Sequence, residues 1–94
     1  MPQKLAKAKV YIENNCVKVT EWRFAPHAAT GFHKHEKDYV VLPMTTGKLL
    51  LKTPTGDREA QLVAGEPYFR NAGAEHDVIN DNPYEFVFVE TEII

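Results

Sequence analysis

Two histidines separated by one residue carry the clearest chemical signal in this chain. His33 and His35 follow Gly31 and precede the strand-like run at residues 39–42. Because successive side chains of a strand point to opposite faces, the two imidazoles project from the same face. Their Cα atoms then lie about 6.5–7 Å apart, so both rings can reach one ion. Imidazole binds zinc, copper, iron and nickel, and a third ligand would complete a metal site.

His76, the last histidine of the chain, is the predicted third ligand. It follows Gly73 and begins a second strand-like run that ends at Asn80. Each histidine stretch therefore begins with a glycine turn that leads into a strand. The alternative is that the three residues are ordinary surface or core histidines.

Tyr39 has the same strand parity as His33 and His35, so its side chain is expected to point inward. Its phenol either packs in the core or directs its hydroxyl at a metal or substrate, which makes it the candidate catalytic residue. Glu36 and Asp38 have the opposite parity and are expected to point outward. Either carboxylate would need a bulge to enter the site.

Composition limits the partners that this chain can have. Its 94 residues, 44% hydrophobic and 26% charged, predict one domain spanning residues 1–94. A net charge of −2 without a basic run argues against nucleic acid and anionic membranes, which leaves a small-molecule ligand. No segment approaches the ~20 apolar residues that span a bilayer. Cys16 is the only cysteine, so a disulfide framework is excluded and a cytoplasmic location is expected.

The rest of the chain consists of short extended segments at turn spacing. We find eight or nine of them and no window with helical periodicity, which predicts an all-β, antiparallel barrel or sandwich. The terminal segments, residues 9–13 and 84–94, are apolar and would form exposed strand edges. Because such edges need to be covered, a homodimer is expected.

The first histidine stretch resembles the first motif of the cupin family. That motif reads Gly, five residues, His-x-His, three or four residues, Glu, six residues, Gly. His33 and His35 match it, and Gly47 falls near the closing glycine. The chain departs from it at two places, with Tyr39 at the glutamate position and His27 at the opening glycine. His27 is expected to be an exposed loop histidine.

The second histidine stretch resembles the second cupin motif, which reads Gly, five residues, Pro-x-Gly, two residues, His, three residues, Asn. Gly65, Gly73, His76 and Asn80 match at the expected spacing, and Asn71 replaces the usual proline. The resemblance covers about residues 17–90. It implies a small single-domain cupin with an antiparallel double-stranded β-helix, or jelly-roll, fold.

The resemblance also implies a ligand set. The family uses three histidines and the glutamate, so His33, His35 and His76 carry over and the carboxylate does not. The metal would be divalent iron, zinc, nickel, manganese or copper, its identity left open. With iron, the site resembles that of the three-histidine thiol and diketone dioxygenases. With zinc or nickel, it could polarise a carbonyl or activate water for isomerisation or hydrolysis.

Three functions stay open from the sequence. The first is a metal-dependent dioxygenase or isomerase acting on a small polar or carboxylate metabolite, with Tyr39 and Glu90 as the candidate acid–base groups. The second is a non-catalytic binding module, and the third is a structural cupin. Arg23, Arg70 and Glu90 could orient an anionic ligand, although solvation at the surface is the simpler interpretation. Some small cupins of this kind are named for catabolic roles such as β-alanine breakdown.

Overall fold

The computed structural model describes residues 4–94, in which nine strands and no helix are found. The strands are β1 (Lys7–Glu13), β2 (Val17–Phe24), β3 (His33–Lys34), β4 (Tyr39–Pro43), β5 (Gly47–Thr53), β6 (Gly56–Leu62), β7 (Tyr68–Arg70), β8 (Glu75–Asn80) and β9 (Phe86–Ile93). The all-β prediction is confirmed. No helix within residues 4–94 is long and apolar enough to cross a membrane.

The strands form two facing sheets. One has five strands in the order β1-β2-β9-β4-β7, and the other has four in the order β3-β8-β5-β6. All the strand pairs are antiparallel. Apart from the consecutive pairs β1-β2 and β5-β6, neighbouring strands are distant in sequence, so the chain crosses repeatedly between the sheets. This is the predicted jelly-roll arrangement.

The core lies between the sheets and follows the alternation of side chains along each strand. In β4, Tyr39, Val41 and Pro43 are buried, whereas the two residues between them in the alternation are partly exposed. Phe86 and Phe88 of β9 are buried as well, and the Phe88 ring packs on that of Phe24 with centroids 5.4 Å apart. Burial of each such side chain contributes roughly 1.5–3 kcal/mol. The inward faces of these strands also form the walls of the site.

The chain does not run as one strand from the histidine pair into the residues after it. β3 ends at Lys34 and belongs to the four-stranded sheet, whereas β4 begins at Tyr39 in the five-stranded sheet. His35 lies at the start of this crossover, where its N–H donates to the Ala74 carbonyl at 2.8 Å. Its own carbonyl accepts the Gly73 N–H at 2.7 Å. Gly73 has φ +105, a conformation that favours glycine, so this turn fixes the backbone of His35.

His27 adopts the left-handed backbone conformation, with φ +65, at the position where the cupin motif has its opening glycine. The residue is exposed, as expected, and its N–H donates to the Asn80 carbonyl at 3.0 Å. Asn80 is fully buried, and its side-chain amide donates to the carbonyls of Phe24, Ala25 and Tyr84. Asn80 therefore ties three chain segments together at the end of β8, and His27 accepts backbone strain to join them.

Candidate metal centre

Strand pairing brings the three predicted ligands together. His33 of β3 lies directly opposite His76 of β8 in the antiparallel register. Side chains of such a pair share a face of the sheet. His35 follows β3 and is held by the turn at Gly73 and Ala74, which immediately precedes β8. Two sequence segments more than forty residues apart thus place three imidazoles at one point.

The three imidazoles converge through their Nε2 atoms. The Nε2 atom of His35 lies 3.0 Å from that of His33 and 3.0 Å from that of His76. The rings meet edge-on, with interplanar angles of 76°, 74° and 83°. Within residues 4–94, this is the only cluster of three or more potential ligand side chains that could hold a metal ion.

The chemistry of the donor atoms fits a metal ion. The Nδ1 atom of His33 lies 2.9 Å from the Gly31 carbonyl oxygen, which can only accept, so Nδ1 carries the proton. In the neutral ring Nε2 then presents a lone pair to the Nε2 atom of His35, and only a proton or a cation can bridge two such atoms. Nitrogens bonded to one ion at about 2.1 Å and at right angles lie about 3.0 Å apart. The observed spacing therefore suits a single ion.

Burial keeps two of the histidines neutral. The pKa of His35 is lowered to about 4, first by burial and then by the proximity of His33 and His76. The pKa of His76 is also lowered to about 4, first by burial and then by His33. Metal ions bind the neutral imidazole, so both rings are in the binding state at neutral pH.

Tyr39 points inward, as its parity predicts, even though the strand is interrupted before it. Its ring stacks on that of His35, with centroids 4.0 Å apart and planes 18° from parallel. Burial, followed by the nearby Glu90 carboxyl, raises the pKa of Tyr39 to about 12. The phenol therefore keeps its proton at neutral pH and can donate a hydrogen bond.

Glu90 is a buried carboxyl behind the cluster. Its Oε1 lies 4.0 Å from Nδ1 of His35, on the opposite side of the ring from the converging Nε2 atoms. Burial, followed by Glu92, raises the pKa of Glu90 to about 7, against the opposing effect of Lys18. Because burial disfavours the charge on both His35 and Glu90, this contact is not an ion pair. At 4.0 Å the two atoms are also too far apart for a hydrogen bond, so Glu90 lies behind His35 and does not join the three nitrogens.

A cavity of about 490 Å³ lies between the sheets beside the histidines. His35, His76 and Tyr39 lie on its surface, together with apolar side chains such as Leu49 and Phe88. Its volume is within the range of roughly 300–1,000 Å³ that is typical of small-molecule sites. A second cavity, of about 430 Å³, lies on the His33 side of the cluster. His35 and Glu90 border both cavities, so the cluster forms part of the boundary between them.

The structure separates the other charged candidates. Arg70 and Glu90 line the larger cavity, whereas Arg23 is exposed and pairs with Glu21 and Glu85. The sequence interpretation overlooked Arg58, which also lines this cavity. The sequence does contain a sign of this position. Arg58 lies on the same face of β6 as Ala60 and Leu62, and Leu62 is buried.

Comparisons with known proteins agree with this fold. The chain is 64% identical, over 84 residues, to the β-alanine degradation protein BauB of Pseudomonas aeruginosa, across 89% of this chain and 88% of that protein. A crystal structure of a cupin domain from Bordetella pertussis Tohama I is 55% identical and has a TM-score of 0.97. That match covers 100% of this chain and 98% of the other. No protein-family model matches the chain.

A more distant neighbour shares the fold alone. It is a conserved protein of Klebsiella pneumoniae with a double-stranded β-helix domain, 22% identical, with a TM-score of 0.78 over 95% of this chain and 76% of its own. Two facing antiparallel sheets that enclose three converging histidines define a jelly-roll barrel able to hold a metal ion. The chain belongs to the cupin family, as its two motifs suggested.

Proposed function

We propose that this cupin is a metal-dependent enzyme that acts on a small carboxylate metabolite. His33, His35 and His76 bind one divalent transition metal, and Tyr39 contacts the substrate. The observation that carries the proposal is the convergence of three Nε2 atoms, 3.0 Å apart in two of the pairs, at the edge of a cavity of metabolite size. A structural histidine cluster would not need a cavity of metabolite size beside it.

The metal would supply Lewis acidity and, for iron, coordination positions for substrate and dioxygen. The protein supplies the rest. The hydrogen bond from His33 to the Gly31 carbonyl fixes the imidazole tautomer, and the stacked Tyr39 ring restricts the rotation of His35. Three neutral histidines add no negative charge, so the full positive charge of the ion would face the substrate. An oxyanion or carboxylate is therefore the favoured ligand at this point.

Tyr39 is suited to donate a hydrogen bond to the substrate. Because its pKa is raised to about 12, its hydroxyl is protonated at neutral pH and acts as a donor rather than a base. Apolar walls formed by Val41, Leu49 and Phe88 keep bulk water from the reacting atoms. The low local dielectric strengthens this hydrogen bond.

Two features support a small carboxylate as substrate. The volume of the cavity suits a metabolite and not a polymer, and two arginines, Arg58 and Arg70, line it. The 64% identical relative is named for β-alanine degradation, and β-alanine is itself a small carboxylate. Dioxygenation and isomerisation are both compatible with this chemistry, and the metal decides between them.

The test combines metal analysis with a reaction screen. Protein loaded anaerobically with Fe²⁺, and separately with Zn²⁺ or Ni²⁺, is incubated with a panel of C3–C6 oxo, hydroxy, amino and thiol acids. Oxygen uptake with the iron form supports a dioxygenase, and oxygen-independent product formation supports an isomerase or hydrolase. Stoichiometric metal with saturable ligand binding but no turnover would instead identify a non-catalytic binding module.

Two further proposals concern the protein as a whole. β1 is exposed along its length, and its residues Val10, Tyr11 and Ile12 are 46%, 55% and 48% accessible. An apolar edge strand of this kind is normally covered, which supports a homodimer formed through β1. A cytoplasmic location, expected from the single cysteine, stays a prediction.

A further inference from the structure

The larger cavity is lined by residues of two edge strands, one from each sheet, and we call the exposed rim that they form its mouth. β6 ends the four-stranded sheet and β7 ends the five-stranded sheet. Arg58 of β6 is paired with Leu51, and Arg70 of β7 is paired with Tyr39. Because paired residues share a face, both arginines lie on the inward face of their sheets. Both are also exposed, so their guanidinium groups reach solvent at the mouth.

Arg70 is held in place and directed towards the interior. Its Cζ lies 4.4 Å from the centroid of the Tyr68 ring, over the ring face. One of its N–H groups donates to the Phe69 carbonyl at 3.0 Å. Its charge opposes the burial that raises the pKa of Tyr39 and of Tyr68, so the guanidinium acts on both cavity phenols.

These two arginines have no acidic partner among residues 4–94. The contrast with Arg23 is informative, because that arginine lies outside the cavity and binds Glu21 at 3.1 Å and Glu85 at 2.6 Å. Arg23 on the outer surface is therefore neutralised by two carboxylates of the protein itself. At the cavity mouth the guanidinium forks remain available, and such forks match carboxylate geometry.

The balance of charge in the cavity favours an anion. Its acidic lining residues are Glu75, which is exposed, and Glu90, whose pKa burial raises to about 7. Against them stand Arg58 and Arg70, which are cationic at any physiological pH. A divalent ion on the three neutral histidines would add two further positive charges at the inner end.

We infer that Arg58 and Arg70 form a carboxylate-binding site at the cavity mouth, which selects ligands that carry an acid group at the end remote from the histidines. This site rests on the proposed function, because the second acid group of the ligand would contact the metal ion at the histidines. Short dicarboxylates are the ligand class that this arrangement favours. One carboxylate is bound by the guanidinium groups and the other faces the ion held by His33, His35 and His76.

The probes are malonate and succinate, with malonamide and succinamide as neutral analogues of similar shape. Binding is measured by calorimetry at constant ionic strength, on metal-loaded and on metal-free protein. We expect saturable binding of at least one dicarboxylate and none of its diamide. Arg58→Gln and Arg70→Gln should each weaken binding about 10-fold to 100-fold, since each removes charge-assisted hydrogen bonds. Arg23→Gln is the matched control and should bind as the wild type does.

The inference is overturned if neither dicarboxylate binds, if the diamides bind equally well, or if Arg23→Gln weakens binding as much as the two cavity variants. All three arginines are exposed, so the variants should fold, which thermal unfolding verifies. Metal content measured on the same samples separates the two proposals. Arginine-dependent binding without stoichiometric metal refutes the metal enzyme alone, and stoichiometric metal with arginine-independent binding refutes the carboxylate site alone.

Discussion

Acidification should destabilise the metal-free protein through His35 and His76. Burial lowers the pKa of each to about 4, whereas histidine in an unfolded chain has a pKa of about 6.5. Between these values the unfolded chain binds protons that the folded protein does not. The contribution to stability is therefore complete above about pH 6.5 and is lost as pH falls towards about 4.

Glu90 acts in the opposite direction. Burial raises its pKa from 4.5 to about 7, so between these values the folded protein holds a proton that the unfolded chain has released. Its contribution is present below about pH 4.5 and is lost as pH rises through about 7. From pH 4.5 to 6.5 the unfolded chain therefore binds a net of about one extra proton at these three sites.

One proton of difference corresponds to about 1.4 kcal/mol per pH unit, so the upper limit over this window is about 3 kcal/mol. His76 is partly exposed, and discounting for solvent screening leaves about 1–2 kcal/mol. For a protein of this size, 1 kcal/mol corresponds to about 4–8 °C in Tm. From these three groups, stability should be greatest near pH 7.

The assay is urea unfolding in EDTA at half-unit steps from pH 4.5 to 7.5, for the wild type and for His35→Gln/His76→Gln. The variant removes both histidine titrations, so the difference between the two curves isolates them from other groups. We expect the wild type to lose stability relative to the variant as pH falls below 6.5. A difference that is constant across the range would refute the assignment of buried, neutral histidines.

Three further predictions address separate parts of the molecule. His27→Gly should raise the free energy of unfolding by about 0.5–1 kcal/mol, because it removes left-handed strain of about 1–2 kcal/mol at a modest entropic cost, whereas His27→Ala should not. Tyr39→Phe should lower kcat by about 100-fold in the reaction found by the screen, with metal content unchanged. Light scattering should give twice the chain mass of 10.7 kDa at tens of micromolar, and Val10→Lys/Ile12→Lys should give the monomer mass. Loss of metal on Tyr39→Phe, or a wild-type monomer, would contradict the last two.

Strand parity explains why much of the site could be predicted from the sequence. Alternation along β4 places its buried residues on one face, and Tyr39 obeys the same parity as the histidines. The crossover between His35 and Tyr39 was not predictable in this way. Local alternation continues through it, and only pairing with distant strands assigns β3 and β4 to different sheets.

The arginines of the cavity mouth are a second feature that the sequence alone could not predict. A charged residue in a short, mostly exposed strand is usually solvated, and the parity of Arg58 with Ala60 and Leu62 is a weak signal on its own. The pairing of β6 and β7 with their neighbours turns Arg58 and Arg70 towards the cavity. His27 is similar, since its place at the motif's opening glycine was only an indirect sign of the left-handed conformation that the structure shows.

Metal content of the wild type and of His35→Ala is the most direct test of the three-histidine centre. The variant loses the nitrogen that lies 3.0 Å from both of the others, and His27→Ala serves as a matched control at an exposed histidine. After loading with Zn²⁺ or Fe²⁺ and desalting, we expect one metal per chain in the wild type and in His27→Ala. We expect none in His35→Ala, with the β-sheet circular-dichroism spectrum retained. Full occupancy in a folded His35→Ala protein would contradict the assignment of the metal to His33, His35 and His76.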